Sequence, residues 1–373
     1  MKTIPRTSLS ILLMLIIAGC SLPKVTPEVT PSSESQPTST APGEPGTPTP
    51  IVTIFSAGAP ITSANAPQLS ASARTAVSNP QQLVWSPDSQ SVSLVSQNSS
   101  ENSSQVFSDA ILEVPSLAPK LVYAAPSGIQ RLAASSDAKT VAELDQNGEQ
   151  VDLVDARSKT VLRTLDPGFP AGTITFSPDG KTLSLSNLDQ PEVALFDVTL
   201  GAQTATLSGF ETPATSYTAG FFGSNTAIVW NAAAILQVQD ITTQTLSLPF
   251  EQEDTTDVFT LASDGSVLAA AAPRTIDGIL TPAVSLWSTS TASLSGSLTL
   301  TAPAISLAFS PDGTLLAVGT MSQIQVWDVA SETVAATLTE NPNPVYLLAF
   351  SPDGRWLASA YADQLVLWTV PGK

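Results

Sequence analysis

The chain has 373 residues, 42% hydrophobic and only 12% charged, with 32 acidic against 14 basic residues and a formal net charge of −18. That balance argues against a nucleic-acid binder, which needs a basic face. Histidine is absent and cysteine occurs once, which excludes Ser-His-Asp and Cys-His catalysis, His-ligated zinc and a disulfide within one chain.

In chain order, the first segment has the pattern of a secretory signal. Lys2 and Arg6 form a positive start, and an apolar stretch runs from Ile11 to Ile17. It is short for a membrane span. Ile17-Ala18-Gly19-Cys20 resembles the bacterial lipobox, and the resemblance implies cleavage after residue 19 and a diacylglyceryl group on Cys20. Removing residues 1–19 takes away Lys2 and Arg6 and no acid, so the charge becomes −20. So acidic a body is not expected to lie flat on an anionic bilayer; lipid at Cys20 would do the anchoring. Residues 20–50 are rich in Pro, Ser and Thr. They cannot bury a core and read as a disordered linker, about 3 Å per residue when extended.

From residue 51 onward a repeat organises the chain. Phe176-Ser177-Pro178-Asp179-Gly180 returns as Phe309-Ser310-Pro311-Asp312-Gly313 and as Phe350-Ser351-Pro352-Asp353-Gly354. Weaker copies stand at Trp85-Ser86-Pro87-Asp88, Ala134-Ser135-Ser136-Asp137, Phe222-Gly223-Ser224-Asn225 and Leu261-Ala262-Ser263-Asp264-Gly265. Pro presets a type I turn, Asp bonds the local backbone, and Gly takes the left-handed position that closes a hairpin. Around each turn lie strands. In the sixth unit these are Ile305 to Phe309, Leu315 to Val318, Ile324 to Val329 and Thr333 to Thr339. Third strands recur at Val151 to Val154, Val193 to Val198, Ile235 to Ile241, Val284 to Trp287 and Leu365 to Val370.

The seven turn markers are 39 to 49 residues apart. Four-stranded units of about 40–45 residues are the period of a β-propeller blade. The expected fold is therefore all-β, a seven-bladed β-propeller of four-stranded antiparallel blades over residues 51–373, preceded by signal peptide and linker. Only five residues follow Trp368, too few for a last outer strand. The segment 68–77, ahead of the first turn, is the expected donor that closes the ring.

These turns, together with Val326-Trp327-Asp328-Val329, resemble the WD-repeat family. Val154-Asp155, Phe196-Asp197 and Gln239-Asp240 stand at the same place, while Trp287-Ser288 and Trp368-Thr369 keep Trp and lose Asp. The chain resembles the exported bacterial forms, with Phe-Ser-Pro-Asp-Gly turns, and also the periplasmic propellers of the Tol system, though without a second domain. The resemblance implies a ring that presents surfaces to other proteins. Family members often carry a His ahead of the first strand that bonds a turn Asp. Here Asp189 and Asp363 lie near such a place and have no His to meet.

Among candidate sites, Cys20 is the lipidation site. Glu251, Glu253, Asp254 and Asp257, between the fourth and fifth units, are candidates for a cation or basic-partner surface, against the alternative of a solvated acidic loop. Asp145, Asp189, Asp277 and Asp363 fall in or near links between second and third strands. Two of them at one channel mouth would suit glycoside hydrolysis; turn formation is the alternative. Trp85, Trp230, Trp287, Trp327 and Trp368 read as packing between blades rather than sugar stacking, and Trp356 as either of the two. Gln97 to Ser104 reads as a polar loop. No catalytic residue, metal ligand or cofactor is expected. The expected protein is a lipid-anchored, extracytoplasmic module that binds or scaffolds other envelope proteins, on the inner or the outer membrane. A glycan binder or a carboxylate hydrolase at the channel mouth is the alternative.

Overall fold

A computed structural model describes residues 58–99, 105–209, 218–232, 235–254 and 256–372. The signal segment, Cys20 and the linker lie outside the described residues. A short 3-10 turn, Ala66–Gln68, precedes β1 (Ser70–Ala76). Blade one is β2 (Pro80–Trp85), β3 (Ser91–Ser99), β4 (Gln105–Glu113) and β5 (Pro119–Ala124). Blade two is β6 (Ile129–Ala134), β7 (Thr140–Asp145), β8 (Val151–Asp155) and β9 (Val161–Leu165). Blade three is β10 (Ala171–Phe176), β11 (Thr182–Asn187), β12 (Glu192–Asp197) and β13 (Gln203–Ser208). Blade four is β14 (Thr218–Gly220), β15 (Ala227–Ala232), β16 (Ile235–Asp240) and β17 (Phe250–Glu251). Blade five begins with β18 (Phe259–Leu261) and β19 (Val267–Ala271). A separate hairpin, β20 (Arg274–Ile276) and β21 (Ile279–Thr281), interrupts it before β22 (Ala283–Ser288) and β23 (Ser293–Thr299). Blade six is β24 (Ser306–Phe309), β25 (Leu315–Gly319), β26 (Ile324–Asp328) and β27 (Thr333–Leu338). Blade seven is β28 (Val345–Phe350), β29 (Trp356–Tyr361) and β30 (Gln364–Thr369), with β1 as its outer strand.

The core is distributed over seven seams. One apolar cluster lies along each contact between neighbouring blades, and the cluster containing Ala73, Trp85, Trp356 and Leu365 joins blade one to blade seven. Second and third strands are largely covered on both sides; Leu315–Gly319 is an apolar run with every residue buried, while others bury polar side chains such as Ser184, Ser186, Gln237 and Ser359. Fourth strands face solvent, and four of the five residues of Val161–Leu165 are exposed. Trp356 is buried with the other seam residues.

The recurring turn is held as its sequence requires. Ser177 donates its hydroxyl to Asp179 Oδ1 at 2.7 Å and accepts the Thr182 N–H at 3.0 Å, while Asp179 Oδ1 also accepts the Lys181 N–H. Gly180 has φ +71°. The same Ser–Asp bond forms in blades one, two, six and seven. Where Gly is missing, Ser89 and Ala138 adopt φ +60° and +56°.

The drifted turns do something the intact ones do not. Asn225 accepts the Asp179 N–H, Ser89 accepts the Asp353 N–H, and Ser263 donates to the Pro311 carbonyl. Each bond ties the turn of one blade to that of its neighbour. Blades therefore do not rest on apolar packing and backbone ladders alone. Inner strands are also tied, by Trp85 Nε1 to Ala349 O at 3.0 Å and by the Ala134 N–H to Gln82 Oε1 at 2.9 Å.

One expectation changes. Gln97 to Ser99 are not loop: they extend β3, which pairs with β4 up to Ser99–Gln105; the rest of that segment, 100–104, lies outside the described residues. Asp363, with no His to meet, accepts instead from Asn343, just ahead of β28, at 3.3 Å.

Candidate interaction surface

Antiparallel order decides which loops share a face. Each inner strand runs into its Ser-Pro-Asp-Gly turn, so the links between second and third strands, and those between blades, return to the opposite face. Asp145, Asp189, Asp277 and Asp363 belong to this link-bearing face, as do Glu251, Glu253 and Asp257.

Two of the four aspartates are held within their own loops and a third by a neighbouring link. Asp145 Oδ1 accepts the N–H groups of Glu149 and Gln150 at 2.9 and 3.1 Å. Asp363 accepts from Asn343, and Asp189 is held through its N–H by Asn187 Oδ1. Asp277 occupies a hairpin tip at φ +51°. An open hollow of about 620 Å³ has Asp145, Glu149, Asp166 and Phe169 in its wall, but none of the other three aspartates. Among the described residues no three Asp, Glu or Cys side chains gather as a metal site would require.

The carboxyls pushed upward lie elsewhere. Asp109 on β4 is 1% exposed. Burial raises its pKa to about 6 against the opposing hydrogen bond from Ser93. Opposite it in register stands Tyr123, whose hydroxyl donates to Glu143 Oε1 of blade two at 2.7 Å. Burial raises Glu143 as well, and the nearby Asp152 adds to the effect. Asp109, Tyr123 and Glu143 are buried at the seam between blades one and two and are not in the wall of the hollow at Asp145. Sequence reasoning missed it, because Asp109 has the alternating environment of any strand residue.

The acidic link folds back on the blade-five insertion. Glu253 Oε1 lies 3.6 Å from Arg274 Nε, and Glu253 Oε2 accepts the Thr275 N–H at 2.7 Å. Asn231 donates to the Thr256 carbonyl and, at 3.4 Å, to Asp257 Oδ1. Glu251 is exposed at the end of blade four. The insertion itself carries exposed Ile276, Ile279 and Leu280, at 36%, 68% and 61%. Its signal was available: Asp277-Gly278, flanked by β-branched residues, is the sequence of a two-residue hairpin turn.

At the central mouth, four inner strands share a bulge after their first paired residue. The extra residues are Gln81, Gln130, Gly172 and Tyr346. A bulge re-aims its side chain, and Tyr346 is 45% exposed. The link-bearing face thus offers polar mouth side chains and an apolar hairpin beside an acidic rim, an arrangement suited to contact rather than to acid–base chemistry.

A family model, WD domain, G-beta repeat, matches residues 288–328 and 332–368. A comparison with curated proteins returned no match. Each matched repeat is offset from a blade, joining the outer strand of one blade to three strands of the next. The second match therefore ends at β30 and leaves blade seven to be completed by β1. WD-repeat propellers are typically non-catalytic and commonly mediate protein interaction. The chain thus carries two WD repeats, running from the outer strand of blade five to β30, set in a seven-bladed propeller of four-stranded antiparallel blades.

Proposed function

We propose that this protein is a lipid-anchored, extracytoplasmic scaffold that binds other envelope proteins through the link-bearing face of its propeller. The observation that carries the binding reading is the exposed Ile276, Ile279 and Leu280 on that face, because clustered exposed apolar side chains mark contact surfaces. The anchoring reading rests on the sequence alone: a charged start, an apolar stretch and Cys20. Lipid at Cys20 fixes the chain to the membrane, and residues 20–50 tether the propeller to that anchor.

Labelled palmitate and membrane fractionation test the anchor. Wild type is expected to take up label and sediment with membranes, and Cys20→Ala to do neither. Unchanged sedimentation of Cys20→Ala contradicts lipid anchoring. Pull-down from native membranes tests the scaffold: proteins are expected on wild type and not on Ile279→Ser/Leu280→Ser. Equal recovery on both contradicts this use of the face.

A further inference from the structure

We propose that the β20–β21 hairpin docks an extended segment of a partner protein that alternates aliphatic residues with Lys or Arg and adds as a strand to the open edge of β21. The inference rests on the protein-binding reading and names the site and the partner's chemistry.

The hairpin has little reason to exist for folding. Its β20 and β21 form a two-stranded sheet of their own, and Thr275 to Leu280 are exposed throughout. Asp277 and Gly278, at φ +51° and +80°, make the primed two-residue turn that matches strand twist. Ile276 then faces Ile279, and Thr275 faces Leu280. In such a hairpin the pair flanking the turn exchanges backbone bonds, so the next pair directs its N–H and C=O groups outward. On β20 that outward N–H, of Thr275, is taken by Glu253. On β21 the corresponding edge at Leu280 has no neighbouring strand among the described residues. An exposed apolar strand edge is a template for strand addition.

Charge selects the occupant. Residues 251–257 and 274–281 hold five carboxylates and one guanidinium, and Arg274 is already paired with Glu253. A cationic segment complements this rim. A second copy of the chain, or an anionic bilayer, meets like charge at a body of net charge −18.

The test is selection from a displayed library of random strand-length peptides on the detergent-solubilised full chain, followed by titration of synthetic winners. Enriched sequences are expected to alternate aliphatic with Lys or Arg. Affinity is expected to fall about tenfold in Leu280→Ser and a few-fold in Glu251→Gln/Asp257→Asn, the latter effect shrinking with salt. Unfolding midpoints of the variants, matching wild type, show that they fold. Acidic or neutral winners overturn the proposal. So does binding of full-length Cys20→Ala to phosphatidylglycerol vesicles, or self-association in ultracentrifugation, if either is abolished by Leu280→Ser. Winners that bind Leu280→Ser as well as wild type remove the hairpin and leave the scaffold reading standing; no winners on any surface removes both.

Discussion

Asn225 Oδ1 accepts the backbone N–H of Asp179 at 2.6 Å, so the most eroded turn of the repeat holds one of its most intact. The two residues occupy equivalent positions 46 residues apart. Departure from the motif is here a source of contacts between blades. Restoring the motif should therefore help only where the departing side chain makes no contact.

Ala138 and Ser89 separate these cases. Both hold positive φ in place of Gly, which costs a non-glycine residue about 1–2 kcal/mol. Ala138→Gly is expected to raise stability in urea by up to about 1 kcal/mol, the relief being offset by the freer unfolded chain. Ser89→Gly gains the same relief but loses the bond to the Asp353 N–H, worth about 1 kcal/mol. It is expected to show no gain. An equal gain in both variants would mean that the turn-to-turn bond contributes nothing.

Ring closure depends on β1. Six of its residues pair with β30, Ala73 is 2% exposed within the seam between blades one and seven, and Arg74 bonds Glu340. Deleting residues 66–78 leaves β30 with an open edge and uncovers that seam. A markedly lower urea midpoint is expected, and Ala73→Asp alone should cost about 2–4 kcal/mol by burying a charge without a partner. Wild-type midpoints in both would show that the ring holds without this strand.

The seam carboxyl Asp109 makes stability depend on pH with an unusual sign. Its pKa is about 6 in the folded protein and near 3.8 in the unfolded chain. The folded state therefore binds more protons between these values, and stability falls as pH rises through that window. The turn carboxyls act oppositely. The Ser86 hydroxyl lowers Asp88, and at Asp179 burial is outweighed by Ser177 and Lys181. Their contribution is present above pH 4 and lost below it. Asp109→Asn is expected to stabilise the protein at pH 7 by roughly 2–3 kcal/mol and to flatten the profile between pH 4 and 6. The check is urea unfolding across pH; an unchanged slope in the variant would place the cause elsewhere.

Much of the architecture was legible because it is local. Ser177-Pro178-Asp179-Gly180 dictates its own hairpin, and the spacing of such turns counts the blades. The shortage after Trp368 likewise pointed to the segment that became β1. What was not legible depends on neighbours distant in sequence. Nothing near Asn225 or Ser263 says that its side chain meets another turn 46 or 48 residues away. Asp109 gives no sign of its burial, because a strand residue acquires its environment from the adjacent blade. Asn343 donates to Asp363 from 20 residues away, a contact that no motif search on His would find. Asp277 was read as one of four similar aspartates, although Asp277-Gly278 between Ile276 and Ile279 announced an inserted hairpin.

The claim that the link-bearing face is the contact surface is tested most directly by amide hydrogen exchange. The full chain would be measured alone and bound to a protein recovered on it from native membranes. Slowed exchange is expected in residues 274–281 and in the links that carry Asp145, Asp189 and Asp363, with the turns at Ser177-Pro178-Asp179-Gly180 and its repeats unchanged. Slowing confined to those turns, with exchange at Ile279 and Leu280 unaltered, would contradict it.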